Sequence, residues 1–181
     1  MNGKKIWLLT GVSRGLGKAL AQAVLDKGDR VIGTTRDGKA ELNGDSENLK
    51  LLSLEVTDTA QIQQTTEAAY QLQGRLDVVV NNAGYSLLGA IEESSDAEVK
   101  PVFDVNFFGV LQVVKTVLPY FRQQRSGHFV NVSSIAGLAP MAGSGIYAAA
   151  KSAIEGISQS LAQEVEPLGI KVTLVGNYPS R

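Results

Sequence analysis

Tyr147 and Lys151 stand four positions apart in "YAAAK", ahead of a run of Ala, Ile, Leu and Gln with helical character. On a helix, residues i and i+4 share one face, which brings a phenol and an ammonium close enough to couple. Moving a phenol's pKa from near 10 to neutrality takes about three units, or roughly 4 kcal/mol. One cation at about 4 Å supplies about that much at an effective dielectric near 20. Together the two can exchange a proton with a substrate oxygen, although on its spacing alone the pair reads equally well as a solvated helix surface.

A second cluster lies near the amino end, where "TGVSRGLG" follows apolar "IWLL" and precedes "KALAQAVLDK". Gly11, Gly15 and Gly17 let the backbone turn tightly and approach a ligand, and a helix starting there offers unpaired N–H groups to a diphosphate. The same letters hold a G-x-S-x-G centred on Ser13, the nucleophile elbow of serine hydrolases. That chemistry needs a histidine base, and the one histidine, His128, opens the strand-like run "HFVNVS" where a loop position is wanted.

A scaffold must position both clusters. Short, mostly continuous apolar runs predict strands at Ile6–Thr10, Arg30–Thr35, Leu49–Val56, Leu76–Val80, His128–Ser133 and Ile170–Val175. Continuous runs suit strands covered on both faces. Longer segments predict helices at Gly15–Lys27, Asp58–Gln73, Ser95–Gln124 and Ser144–Pro167, with Gly28, Gly74, Gly127 and Gly169 beyond their ends as left-handed caps. Strand-helix alternation predicts an α/β fold, a doubly wound parallel sheet with helices on both sides.

With 181 residues, 44% hydrophobic and 19% charged, the chain suffices for one core, and residues 1–181 are expected to form one domain. A net charge of -1 leaves no basic excess to neutralise a nucleic-acid backbone. The absence of cysteine removes disulfides, thiolate nucleophiles and Cys-ligated zinc, and no metal site is expected. The most apolar long stretch, Val102 to Phe121, contains Asp104, Asn106 and Lys115, so it reads as a core or interface helix and not as a membrane span. The first residues lack a signal-peptide core, which makes the cytoplasm the expected compartment.

"TGVSRGLG", "NNAG" at 81–84, Asn106, "NVSS" at 131–134 and "YAAAK", in this order and approximate spacing, resemble the classical short-chain dehydrogenase/reductase family from about residue 5 to 175. The resemblance implies a Rossmann-type sheet in strand order 3-2-1-4-5-6 and hydride exchange between a nicotinamide cofactor and a small carbonyl or alcohol. It implies that Tyr147 is the general acid/base, that Lys151 lowers the phenol's pKa and bonds the nicotinamide ribose, and that Ser134 holds the substrate oxygen. It also implies a water relay through Asn106 to Lys151. Expected cofactor contacts are Gly11, Ser13, Arg14, Gly15, Leu16 and Gly17 in the first turn. The remainder are Thr35, Arg36, Glu55, Val56, Asn82, Ala83, Gly84, Tyr147 and Lys151, with Asn82 also tying neighbouring strands together.

At the end of the second strand, "GTTRD", Thr35 stands where NAD enzymes carry an acid for the ribose hydroxyl, and Arg36 follows it. With Arg14 in the glycine loop, two guanidiniums and a hydroxyl suit a phosphate dianion, so NADP(H) is favoured. NAD(H) is the alternative if Asp37 reaches the ribose. After "IKVTLV" the family has a Pro-Gly turn, a substrate lid, another helix and a last strand, whereas this chain reads "GNYPSR" with Pro179. The expectation is a domain short of that carboxyl portion, and a nucleotide-binding sensor or interaction module without turnover is the rival reading. Small and apolar residues in excess on the helices at 95–124 and 144–167 favour a homo-oligomer, a dimer or tetramer.

Overall fold

The computed structural model describes residues 3–176. Six strands form one parallel sheet in the order β3-β2-β1-β4-β5-β6, the order the resemblance implies. They are β1 (Ile6–Thr10), β2 (Arg30–Thr35), β3 (Leu49–Ser53), β4 (Val78–Asn81), β5 (Gly127–Val132) and β6 (Ile170–Val175). The helices are α1 (Gly15–Asp26), α2 (Thr59–Gln73), α3 (Asp96–Phe103), α4 (Val110–Gln124) and α5 (Gly145–Val165). "GNYPSR", apart from Gly176, lies outside the described residues.

Alternation along the strands divides the core in two. Leu8, Ile32, Val79 and Phe129 face α2, α4 and α5, and Leu9, Val31, Val78 and Val80 face α1. On α4 the buried set Val110, Val113, Val114, Val117 and Phe121 follows the 3.6-residue period. This places α4 against the sheet.

Helix ends show where local chemistry acts. Asp58 caps α2, accepting from Ala60 N (2.9 Å) and Gln61 N (3.0 Å), and Gly74 closes the helix in the left-handed conformation. Removing one such cap removes about 1 kcal/mol. Asp58→Ala is therefore expected to lower Tm by about 2–4 °C for a chain of this size, read by differential scanning calorimetry.

Gly127 differs from expectation. It opens β5, and Arg125 (φ 52°) is the left-handed cap of α4. Gly127 lacks a side chain for a packing reason, since a β-carbon there would strike the Phe121 ring. The second difference is a π-helical turn at Asp104–Gly109, which interrupts the expected continuous helix between α3 and α4.

Candidate functional site

β1 and β4 are neighbours, yet their following connections go to opposite sides of the sheet, and a cleft of about 700 Å³ opens beyond their carboxyl ends. Gly11 and residues 13–17 line it, with residues 34–36, residues 54–56, residues 82–85 and Val105. All the residues picked from the sequence between Gly11 and Gly84 are in this set, and Tyr147 and Lys151 are not. Thr34, Leu54, Tyr85 and Val105 were missed. The first three adjoin motif residues, but nothing in the apolar spacing of Val105 marks it.

The glycine turn is laced to the end of β4. Asn82 Nδ2 donates to Thr10 O (2.9 Å) and Gly11 O (3.0 Å), and Thr10 Oγ1 accepts from the amides of Asn82 and Ala83. A β-carbon on Gly17 would collide with Gly11 O and Asn82 Nδ2, so the turn closes only with glycine there. No carboxylate lies in the first turn of α1 and no side chain caps it, leaving its positive end directed at the cleft.

Ser13 and His128 lie at opposite ends of the sheet. Ser13 follows the carboxyl end of β1, whereas His128 is the second residue of β5, level with Val78, with Nε2 2.7 Å from Thr173 Oγ1. The hydrolase arrangement is not built.

At the end of the cleft beside β2, Thr35 is the last residue of that strand, as the sequence predicts. Asp37 does not line the cleft. Its Oδ1 accepts from Thr35 Oγ1 (3.0 Å) and Lys39 N (3.1 Å), closing the turn behind the strand. These bonds, that from the Lys39 amide foremost, hold its pKa below the usual carboxylate value. Glu55 does line the cleft, and its Oε1 accepts from Thr57 N at 3.3 Å.

At the other end, three elements converge. Ser134 follows β5 and its Oγ accepts from Ala136 N (3.2 Å), capping a short 3₁₀ turn at Ile135–Gly137. Ser133 is buried with its amide on Val175 O (2.8 Å) and its hydroxyl without a partner among the described residues. Lys151 is 5% exposed, and its Nζ donates to Val132 O (2.8 Å) while lying 5.7 Å from the centre of the Tyr147 ring. Burial pushes the Lys151 ammonium pKa down to about 8.

The π-helical turn delivers Asn106 to the same place. Its Nδ2 donates to Val102 O and Tyr85 O, both at 2.9 Å, and its buried Oδ1 has no partner among the described residues. A β-carbon on Gly84 would lie 2.5 Å from that oxygen and 3.7 Å from Lys151 Nζ, so Gly84 keeps a small space open between amide and ammonium. Single-turn π-bulges recur at functional sites because they re-aim one side chain without ending the helix. A buried cation, the phenol beside it and an orphaned amide oxygen thus come together next to Gly84 at one end of the cleft, a set able to exchange a proton with a substrate oxygen.

The sheet order and the cleft at its switch point define a doubly wound α/β protein of the Rossmann type. A family model described as short chain dehydrogenase matches residues 5–179, and the chain belongs to that family. It is 41% identical over 171 residues to the 3-ketodihydrosphingosine reductase of Bacteroides thetaiotaomicron, covering 94% of this chain and 62% of the relative. The chain therefore spans less than two thirds of that relative's length. Of solved structures, a short-chain dehydrogenase from Streptomyces avermitilis superposes with a TM-score of 0.90 at 37% identity, covering 100% of this chain and 68% of the other. ElxO with NADP bound gives 0.88 at 30%, covering 96% and 73%.

Proposed function

We propose that this protein is an NADP(H)-dependent oxidoreductase that interconverts a small-molecule carbonyl and a secondary alcohol. The observation that carries the reading is the convergence of Lys151, Tyr147 and Asn106 beside the cleft at the sheet's switch point. Residues 11–17 would hold the cofactor's diphosphate, Glu55 and Val56 its adenine, and Asn82–Gly84 its nicotinamide half. When bound, the nicotinamide supplies or accepts the hydride. Tyr147 gives the proton to the carbonyl oxygen or takes it from the alcohol, Ser134 holds that oxygen, and the charge of Lys151 favours the phenolate. Asn106 Oδ1, buried without a partner among the described residues, suits a water relayed to Lys151.

Supporting NADP(H) over NAD(H), the carboxylate of Asp37 is engaged in its own turn, while Arg14 and Arg36 line the cleft. A hydrogen bond to a charged group contributes about 1.5–3 kcal/mol, roughly 10- to 100-fold in binding. Arg36→Asp is expected to raise KM for NADPH by that factor and to improve NADH, measured with a panel of ketones and secondary alcohols. NADPH bound without turnover on the whole panel would instead identify a binding module. One domain, cytoplasmic placement and pairing of copies through α4 and α5 belong to the same proposal. Half-exposed Phe108 beside α4 supports the pairing.

A further inference from the structure

We infer that Gly137 and Ser152 form a clamp that sets the spacing between Ser134 and the Tyr147–Lys151 pair, so that both are positioning residues for the reaction proposed above, on which this inference rests. Ser134 and Lys151 sit on separate elements, the 3₁₀ turn after β5 and the first half of α5, so a contact between those elements must fix their separation.

The structure supplies that contact at the residue following Lys151. Ser152 Oγ donates to Gly137 O at 2.7 Å, across 15 positions of sequence. The same glycine lies against the helix backbone, where a β-carbon would sit 3.0 Å from Lys151 C, 3.1 Å from Lys151 Cβ and 3.2 Å from Lys151 O. All three distances are shorter than ordinary van der Waals contact, so a methyl group there requires the turn and the helix to separate by a few tenths of an ångström.

Ser134 would move with it, because its Oγ accepts from Ala136 N inside the same turn. Ala136 is buried, so the turn is seated and not free to pivot about its ends. Lys151 is held from the other side by Val132 O, two residues before Ser134, so a shifted turn changes the Ser134–Lys151 distance instead of carrying both together. A misplacement of about 1 Å at reacting groups can cost roughly 100-fold in rate, and a shift of tenths of an ångström correspondingly less. The residues that line the nucleotide cleft come from other elements and are untouched by the contact.

The test is steady-state kinetics and NADPH titration of Gly137→Ala, Ser152→Ala, Ser152→Thr and the Gly137→Ala/Ser152→Ala double variant, beside the wild type. The expected result for Gly137→Ala is kcat lower by about 10-fold, with the NADPH Kd unchanged within about two-fold. Ser152→Ala should show a smaller fall that Ser152→Thr restores, since the hydroxyl returns. Because both substitutions disturb one contact, the double variant should be no slower than Gly137→Ala. Unchanged kcat in Gly137→Ala, or loss of kcat, NADPH affinity and Tm together, would overturn the clamp while leaving the reaction itself standing. Absence of turnover in the wild type, or full turnover in Tyr147→Phe, would overturn the underlying reading and the clamp with it.

Discussion

Tyr147→Phe is expected to lose roughly 100- to 10,000-fold in kcat, the range for removing a positioned general acid or base, while NADPH binds with nearly the wild-type Kd. The substitution deletes one oxygen and keeps the ring, so the half-buried packing of Tyr147 on α5 survives. What disappears is the hydroxyl of the phenol that lies beside the Lys151 charge. At the 5.7 Å between Nζ and the ring centre, a unit charge at an effective dielectric near 20 contributes about 3 kcal/mol in favour of a phenolate. Stopped-flow oxidation of NADPH and fluorescence titration of the nucleotide separate the two effects. Retained turnover with intact binding would move the acid/base role to another residue and refute the reading.

The sheet was legible in the sequence because parallel strands buried on both faces need continuous apolar runs, as "IWLLT" and "VVVN" have. The glycine turn was legible for a similar reason, since few residue types tolerate its geometry. Asp58 and Gly74 bound α2 by local chemistry that is readable letter by letter. The π-helical turn was not legible. Its residues, "DVNFFG", keep an apolar helical pattern, and the shift is fixed by Asn106 bonding to Val102 O and to Tyr85 O on a distant loop.

Gly127 misled for an instructive reason, because its position after a helix also suits a cap, whereas the true constraint is contact with the Phe121 ring. Asp37 was ambiguous in sequence because one residue of strand length decides whether its carboxylate meets a ribose. In the structure its Oδ1 accepts from Thr35 and Lys39 in the turn that follows β2, and that is a tertiary fact about where the strand stops. The buried chain Asn81–Asn131–Ser158, with bonds of 2.8 Å, also escaped notice, because each polar residue looks unremarkable without its partners.

Lys151→Met is expected to cost roughly 100-fold in turnover, the lower end of the range for losing general acid–base assistance, and to change stability in a way that depends on pH. In the native protein burial holds the Lys151 pKa at about 8, against an ordinary value of 10.5. Below pH 8 native and unfolded chains both carry the proton, and the folded state bears the full penalty of a desolvated ammonium. That difference, at 1.36 kcal/mol per unit, is about 3 kcal/mol. Between pH 8 and 10.5 the unfolded chain binds more protons than the native one, so this lysine's contribution to stability becomes more favourable as pH rises. Methionine fills similar volume without titrating, at the cost of leaving Val132 O without its donor, an offset that does not vary with pH. The stability of Lys151→Met relative to wild type should therefore fall by about 2–3 kcal/mol between pH 7 and pH 10, a change in the Tm difference of roughly 4–10 °C. Chemical denaturation of both proteins at the two pH values reads this directly, and subtracting wild type from variant cancels every other titrating group. A difference that stays constant with pH would show that Lys151 is solvated in the folded protein, which would remove the physical basis for its role beside Tyr147.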